Sequence, residues 1–255
     1  MFGKTVISPS GATGQEVPRL FTERKICGLK ALVIGLAVLD FAPVFFLALG
    51  LFFLAQLVDR LEPRSRRVAL AGLVLIVLGG FGRAVSNLVF GVTGEALPML
   101  AATLHVFGGP GFALMATALH RSRAAARGNP NAGDPWIAPM AVTWLFLAAA
   151  FFLNLRFPGE GGSLVLEGLA LVGVGGLCFS SAILSWRRQL HMAAGLFAMN
   201  AIGTTAVAAL RLTDQNIWIQ ILEVVVHTAI QGGFSFAAWR VAAEYQARVG
   251  PIAAK

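Results

Sequence analysis

The chain has 255 residues, of which 57% are hydrophobic and only 13% are charged, and its mean hydropathy is +0.75. An ordinary soluble domain carries about 25% charged residues, so this composition excludes that class and indicates a protein whose solvent is a lipid bilayer. The formal net charge of +8 would suggest a nucleic-acid partner in a soluble protein. Here most basic residues flank apolar runs, where they set membrane topology, and we therefore predict no nucleic-acid partner.

Seven apolar segments are long enough to span a membrane, since a transmembrane helix needs about 20 mostly apolar residues. Short polar breaks separate these segments from one another. The sequence therefore predicts an all-α, polytopic bundle of seven transmembrane helices. The predicted spans are 32–58, 68–91, 97–119, 136–155, 163–186, 190–211 and 217–239.

Lysine and arginine are distributed unevenly about these spans. The first, third and fifth connections and the C-terminal tail carry twelve of them, against seven on the opposite side. Cytoplasmic segments carry the excess of basic residues, so the N-terminus is expected outside and the C-terminus inside a bacterial-type inner membrane. The predicted tails are residues 1–31 at the N-terminus and 240–255 on the cytoplasmic side.

Two segments of the chain follow the same pattern. A Gly-Phe pair begins six residues after His105 and again six residues after His227, and a glycine follows each histidine by 23 residues, at Gly128 and Gly250. One additional helix between two triplets restores the second triplet to the orientation of the first, so the repeat is expected to be parallel. The predicted organisation of residues 32–239 is repeat one (32–128), a linker helix (136–155) and repeat two (163–239).

In topology alone, this plan resembles the three-plus-one-plus-three arrangement of small sugar transporters of the SWEET type. In helix count it resembles microbial rhodopsins. Neither resemblance carries motif residues across to this chain. A retinal Schiff base needs a lysine in the last helix, but the lysines are Lys4, Lys25, Lys30 and Lys255, all outside the predicted spans. Covalently bound retinal is therefore excluded.

Ionisable side chains inside the spans are the candidate functional residues, because each costs at least about 2.5–3.5 kcal/mol at the centre of a bilayer. Glu223, His227 and Gln231 lie four residues apart and should form one stripe on a helix, and Arg83 and Asn87 should do the same. We expect a polar pocket, open to the outside, that binds and transports or senses a small solute or protons. Its predicted residues are Asp40, Arg83, Asn87, His105, Asn200, Glu223, His227 and Gln231.

Arg83 is the only basic residue in the interior of a predicted span. We expect it to form an ion pair with Glu223 or Asp40, whose charges also need compensation inside a bilayer. The alternative is a purely structural polar network that holds helices one, two and seven together, because interhelical hydrogen bonds are common in membrane proteins.

His105 and His227 support a second interpretation of function. Two facing imidazoles with small neighbours could be the axial ligands of haem b or of a chlorophyll-type tetrapyrrole, in an electron-transfer or light-related protein. No other cofactor is predicted. No enzymatic activity is predicted either, because the sequence has neither a His-Glu-x-x-His nor a Gly-x-Ser-x-Gly motif. Cys27 and Cys178 are interpreted as small apolar fillers. The sequence leaves an oligomer or a partner subunit open.

Overall fold

The structure is a computed structural model that describes residues 32–129, 133–157, 161–210 and 217–249. Within these ranges all regular structure is helical and no strand occurs. The predicted N-terminal tail with Cys27, and Gly250 with the residues after it, lie outside the described ranges. The helices are α1 (Phe41–Leu61, preceded by a helical segment from Leu32), α2 (Arg66–Thr93), α3 (Pro98–Ala125), α4 (Ile137–Arg156), α5 (Gly161–Arg187), α6 (His191–Leu210) and α7 (Ile217–Val249).

Seven helices in the described ranges are long and apolar enough to cross a membrane, which confirms the prediction of an all-α protein with seven such segments. Large apolar side chains cover much of the outer surface, as a lipid-facing surface requires. On α4, for example, Trp144 is 64% exposed and Phe152 is 68% exposed. Such a surface would be an aggregation hazard in water but is the normal exterior of a membrane protein.

The first span, Leu32–Leu61, is interrupted by a turn at Asp40. Pro43 follows three residues later and has no N–H to donate to the carbonyl of Leu39. This missing bond accounts for a local turn, while Asp40 itself keeps helical backbone angles and its N–H still donates to the carbonyl of Leu36 at 3.0 Å. Pro110 lies inside α3, which nevertheless continues as a helix on both sides of it.

Six helices form a closed ring in the order α1, α2, α3, α5, α6 and α7, and α7 packs back against α1. Within the described ranges, α4 lies outside this ring and contacts only α3 and α5. Two further contacts cross the ring, one between α1 and α3 and the other between α5 and α7. This order therefore determines which helices can contact the candidate functional side chains.

Glycines allow the helices to approach closely. A Cβ at Gly72 on α2 would lie 2.7 Å from the backbone oxygen of Gly111 on α3, and a Cβ at Gly111 would lie 2.8 Å from Cγ1 of Ile76. Neither position has room for a larger residue. Small residues at helix interfaces are a principal source of packing energy in membranes, because lipid offers no hydrophobic driving force between helices.

Arg121, which the sequence assigned to a cytoplasmic connection, is instead 7% exposed. Its Nε donates a hydrogen bond to Oγ of Ser65 at 3.2 Å, and its Nη2 donates to the carbonyl of Gly133 at 2.8 Å. The turn between α1 and α2, the end of α3 and the connection to α4 therefore meet at one end of the bundle. We call it the arginine-rich end; it also carries Arg60, Arg64, Arg66, Arg67, Arg123, Arg127, Arg187, Arg188 and Arg240.

At this end, α7 continues ten residues beyond residue 239, where the predicted span ends, to Val249. The extension is amphipathic, and its apolar face is buried: Val241 is 1% exposed, Ala242 3% and Tyr245 3%. Residues 240–249, predicted as part of a tail, thus form a packed helix.

Candidate functional site

The predicted pocket residues occupy α2, α3, α6, α7 and the turn that precedes α1. Asp40, Arg83, Asn87, His105 and Glu223 lie in the half of the bundle away from the arginine-rich end, and each is half-buried. Asn200 and Gln231 lie deeper in the bundle, and each is only 4% exposed. His227 is half-buried and lies on α7 between Glu223 and Gln231, so the predicted set ranges from a half-buried group near one end to a buried pair near the middle.

Asp40 and Asn87 form a short hydrogen bond between two of the predicted residues. Nδ2 of Asn87 donates a hydrogen bond to Oδ2 of Asp40 at 2.7 Å, which connects α2 with the break in the first span. Hydrogen bonds to a charged group contribute roughly 1.5–3 kcal/mol. The turn at Asp40 thus lies beside α2, where its carboxylate accepts this hydrogen bond.

His105 on α3 lies beside a carboxylate of the neighbouring helix. Its Nε2 is 3.4 Å from Oε1 of Glu167 on α5, and the side chains are 23% and 50% exposed respectively. Histidine side chains often serve as proton shuttles. Glu167 belongs in this group although the predicted pocket set omitted it; its presence inside span five was the only signal in the sequence.

Asn200 is the centre of a buried network that joins three helices. Its Oδ1 accepts a hydrogen bond from Sγ of Cys178 on α5 at 3.3 Å, and its Nδ2 donates to Oε1 of Gln231 on α7 at 3.4 Å. Nδ2 also lies 3.5 Å from the carbonyl of Ile230. Cys178 is therefore a polar partner in this network as well as a core residue, a role that its position between apolar neighbours gave no means to predict.

Arg83 lies on α2, whose neighbours among the described helices are α1 and α3. This order places Arg83 beside the span that carries Asp40, whereas α7, which carries Glu223, does not pack against α2. The pairing of Arg83 with Asp40 or Glu223 stays a prediction. The structural alternative also stays a prediction, since α1 contacts both α2 and α7.

His105 and His227 lie on α3 and α7, which do not pack directly against each other in the described part of the chain. Among the described residues, no group of three His, Cys, Asp or Glu side chains is placed to hold a metal ion. Two histidines alone suffice for axial haem ligation, so the tetrapyrrole alternative stays a prediction. In the present structure, His105 already has Glu167 as a neighbour.

The chain matches no protein-family model, no curated protein and no solved structure at a significant level. Its class therefore follows from the fold alone: seven long apolar helices, compatible with an integral, multi-pass membrane protein. The site adds that half-buried carboxylates, an arginine and two histidines lie within these helices.

Proposed function

We propose that this protein is a multi-pass protein of the cytoplasmic membrane that binds and moves protons, alone or together with a small solute, through a polar pocket. The pocket opens at the end of the bundle opposite the arginine-rich end. The observation that carries the proposal is the pair formed by Nε2 of His105 and Oε1 of Glu167, 3.4 Å apart between two membrane helices. Ionisable groups at such positions are costly and usually mark ion or substrate pathways.

The helix neighbours support the proposed three-plus-one-plus-three repeat. Exchanging α1, α2 and α3 with α5, α6 and α7 leaves the set of helix contacts within the ring unchanged: α3 packs on α5 as α7 packs on α1, and the crossing contacts α1–α3 and α5–α7 correspond. Such a relation is expected of a parallel repeat about an axis along the membrane normal.

Two side-chain contacts support the same repeat. Phe112 on α3 packs onto Gly173 on α5, and Phe234 on α7 packs onto Gly50 on α1. Phe112 and Phe234 are the phenylalanines of the two Gly-Phe pairs in the sequence repeat. Gly50 and Gly173 are separated along the chain by nearly the same number of residues as these two phenylalanines. In transporters built from repeats, substrate sites lie between the repeats, whereas the network of Asn200, Gln231 and Cys178 lies within repeat two.

The arginine-rich end gives the proposed orientation. The basic residues of the described connections gather there, and basic loops remain in the cytoplasm. We therefore place this end in the cytoplasm and the pocket toward the outside. A reporter enzyme that works only in the cytoplasm should then be active when it is fused after residue 255. Activity of a periplasm-specific reporter at the same position would show the opposite orientation.

Proton movement tests the proposed function. The purified protein is reconstituted into liposomes that contain a pH-sensitive dye, valinomycin is added to remove the opposing potential, and the external pH is lowered. We expect dye acidification well above that of protein-free liposomes. Asp40→Asn and His105→Gln keep side-chain size while removing a proton-binding group, and each should reduce the initial rate about tenfold or more.

His191→Gln is the matched control, since it makes the same chemical change at the arginine-rich end, where His191 is exposed and Nε2 lies 3.0 Å from Oε1 of Gln189. Its rate should equal that of the unmodified protein. A rate no greater than in protein-free liposomes would overturn the proposal of proton movement. Equal loss in all three variants would overturn the assignment of the pocket.

A further inference from the structure

A second polar feature lies at the arginine-rich end, remote from the proposed pocket. The ends of α3, α5 and α7 surround a cavity of about 400 Å³. Four of its lining residues are arginines, and no carboxylate is among the described residues that line it. The polar and aromatic lining residues are Arg123, Arg127, Arg187, Arg188, Gln189 and Tyr245.

Arginines at helix ends have an ordinary explanation, because positive charge there offsets the helix dipole and sets orientation. That explanation requires guanidinium groups in contact with water. Arg123 differs, since its Nε and Nη1 atoms are buried without a hydrogen-bond partner among the described residues. A buried donor without a partner costs roughly 1–3 kcal/mol, and more when it is charged, so this site favours an acceptor that the protein itself does not supply.

Aromatic rings hold two of the guanidinium groups. The guanidinium carbon of Arg188 lies 4.4 Å from the ring centroid of Tyr245, and that of Arg123 lies 5.8 Å from the ring centroid of Phe179. A planar guanidinium can pack its face on a ring and still donate from its edge. These contacts reduce the entropy that the two side chains would lose on binding an anion.

The connection after α5 also holds its residues in place. The N–H groups of Arg188 and Leu190 both donate to the carbonyl of Ser185 at 3.0 Å. Gln189 between them has φ of +61°, a conformation that costs a non-glycine residue free energy and often occurs at functional sites. Arg188 and Gln189 are thus presented to the cavity by a fixed turn.

We propose that this cavity binds a phosphate group carried by a larger molecule, independently of the function proposed above. Arginine can donate two parallel hydrogen bonds to phosphate oxygens. Four arginines around one cavity therefore suit an anion that accepts several hydrogen bonds. At about 30 Å³ for each water, the cavity holds about a dozen waters, so a phosphate with an attached organic part fits. The carrier is either an anionic phospholipid headgroup at the membrane surface or a soluble phosphorylated molecule.

The experiment measures thermal unfolding of the full-length protein in a neutral detergent, by intrinsic tryptophan fluorescence. One arm adds short-chain phosphatidylglycerol, with short-chain phosphatidylcholine as the zwitterionic comparison. The other arm adds pyrophosphate, with sodium chloride at equal ionic strength as the comparison. We expect a saturable rise in the melting temperature in at least one arm, and the arm that responds identifies the source of the phosphate.

The test variant is Arg127→Gln/Arg187→Gln, whose positions are both exposed and so tolerate substitution. The matched control is Arg64→Gln/Arg67→Gln, which removes the same charge from exposed positions at the same end outside the cavity. The test variant should weaken binding at least tenfold, while the control should change it less than about threefold.

Arg127→Lys provides a second measurement because it keeps the charge and removes the planar fork; its affinity should be several-fold lower than that of the unmodified protein. Three results would overturn the proposal: no saturable shift in either arm, equal stabilisation by the comparison additives, or equal loss in the test and control variants. The last would indicate a general attraction of anions to this end of the bundle.

Discussion

Gly173 of α5 and Phe112 of α3 are in such close contact that a Cβ at position 173 would lie 2.6 Å from Cβ of Phe112. The backbone of Ala113 would be 3.1 Å away, so a flexible side-chain end cannot relieve the overlap. The contact between α3 and α5 is one of the two that join the halves of the ring, and the close approach at this point requires a glycine.

Gly173→Ala should lower the free energy of unfolding by about 1–3 kcal/mol, since overpacking forces neighbouring backbone apart. Gly175→Ala is the control on the same helix, because nothing lies within 4 Å of a Cβ at that position. It should be neutral or slightly stabilising through its better helix propensity. The two variants are compared with the unmodified protein by their melting temperatures in the same detergent. Equal effects of the two variants would contradict the packing argument.

Asn200→Leu should destabilise the protein by roughly 1–3 kcal/mol, because it leaves the buried amide of Gln231 and the thiol of Cys178 without their partner. The double variant Asn200→Leu/Gln231→Leu should recover much of this loss, since an apolar pair has no donor to satisfy. Thr205→Ala controls for the helix, as Thr205 is exposed and its hydroxyl donates to the carbonyl of Ala201 in its own helix. A double variant less stable than the sum of the single ones would argue against the network.

Arg121→Gln should cost about 1.5–3 kcal/mol of stability for each charged hydrogen bond lost, namely those to Ser65 and Gly133. Arg67→Gln removes the same charge from an exposed position and should change stability by less than about 0.5 kcal/mol. The comparison is made by thermal unfolding. Similar melting temperatures would mean that Arg121 acts only as a topological charge.

Gln189→Gly should stabilise the protein by roughly 0.5–1 kcal/mol, because glycine adopts the φ of +61° found here without the steric cost of a Cβ. The loss of the exposed contact with His191 offsets only a small part of this gain. Gly128 has φ of +78° in another connection, so Gly128→Gln is the reverse experiment and should be destabilising.

The tetrapyrrole alternative predicts a coloured protein. If His105 and His227 are axial ligands, the detergent-purified protein shows a Soret band that is lost in His105→Ala and in His227→Ala. His191→Ala should leave such a band unchanged. A preparation that remains colourless after expression with added haem precursor would contradict this alternative. That result would leave the proposal of proton movement unchanged.

The sequence predicted the seven helices because hydrophobic length alone determines a membrane span. It could also predict that Asp40, Asn87, Asn200 and Gln231 point away from lipid, since lipid offers them no hydrogen bonds. The sequence could not predict their hydrogen-bond partners, because a pairing such as Asn87 with Asp40 depends on the rotation of each helix and on the turn at Asp40.

The arginines show most clearly what the sequence could not predict. In the sequence, Arg121 and Arg123 are neighbours in one basic segment, and both serve equally as topological labels. In the structure, Arg121 bonds across to Ser65, whereas Arg123 lines a cavity built from three helices. Only the assembled bundle distinguishes them, since helix order decides which side of α3 each residue faces.

Helix α7 is uninterrupted from Ile217 to Val249 and has 33 residues, which gives it a length of about 50 Å at 1.5 Å per residue. It carries both the buried amide of Gln231 and the ring of Tyr245, which lie roughly 21 Å apart along its axis. Gln231 belongs to the buried amide network and Tyr245 to the cavity at the arginine-rich end. The middle of the bundle and its basic surface are thus connected by one continuous helix.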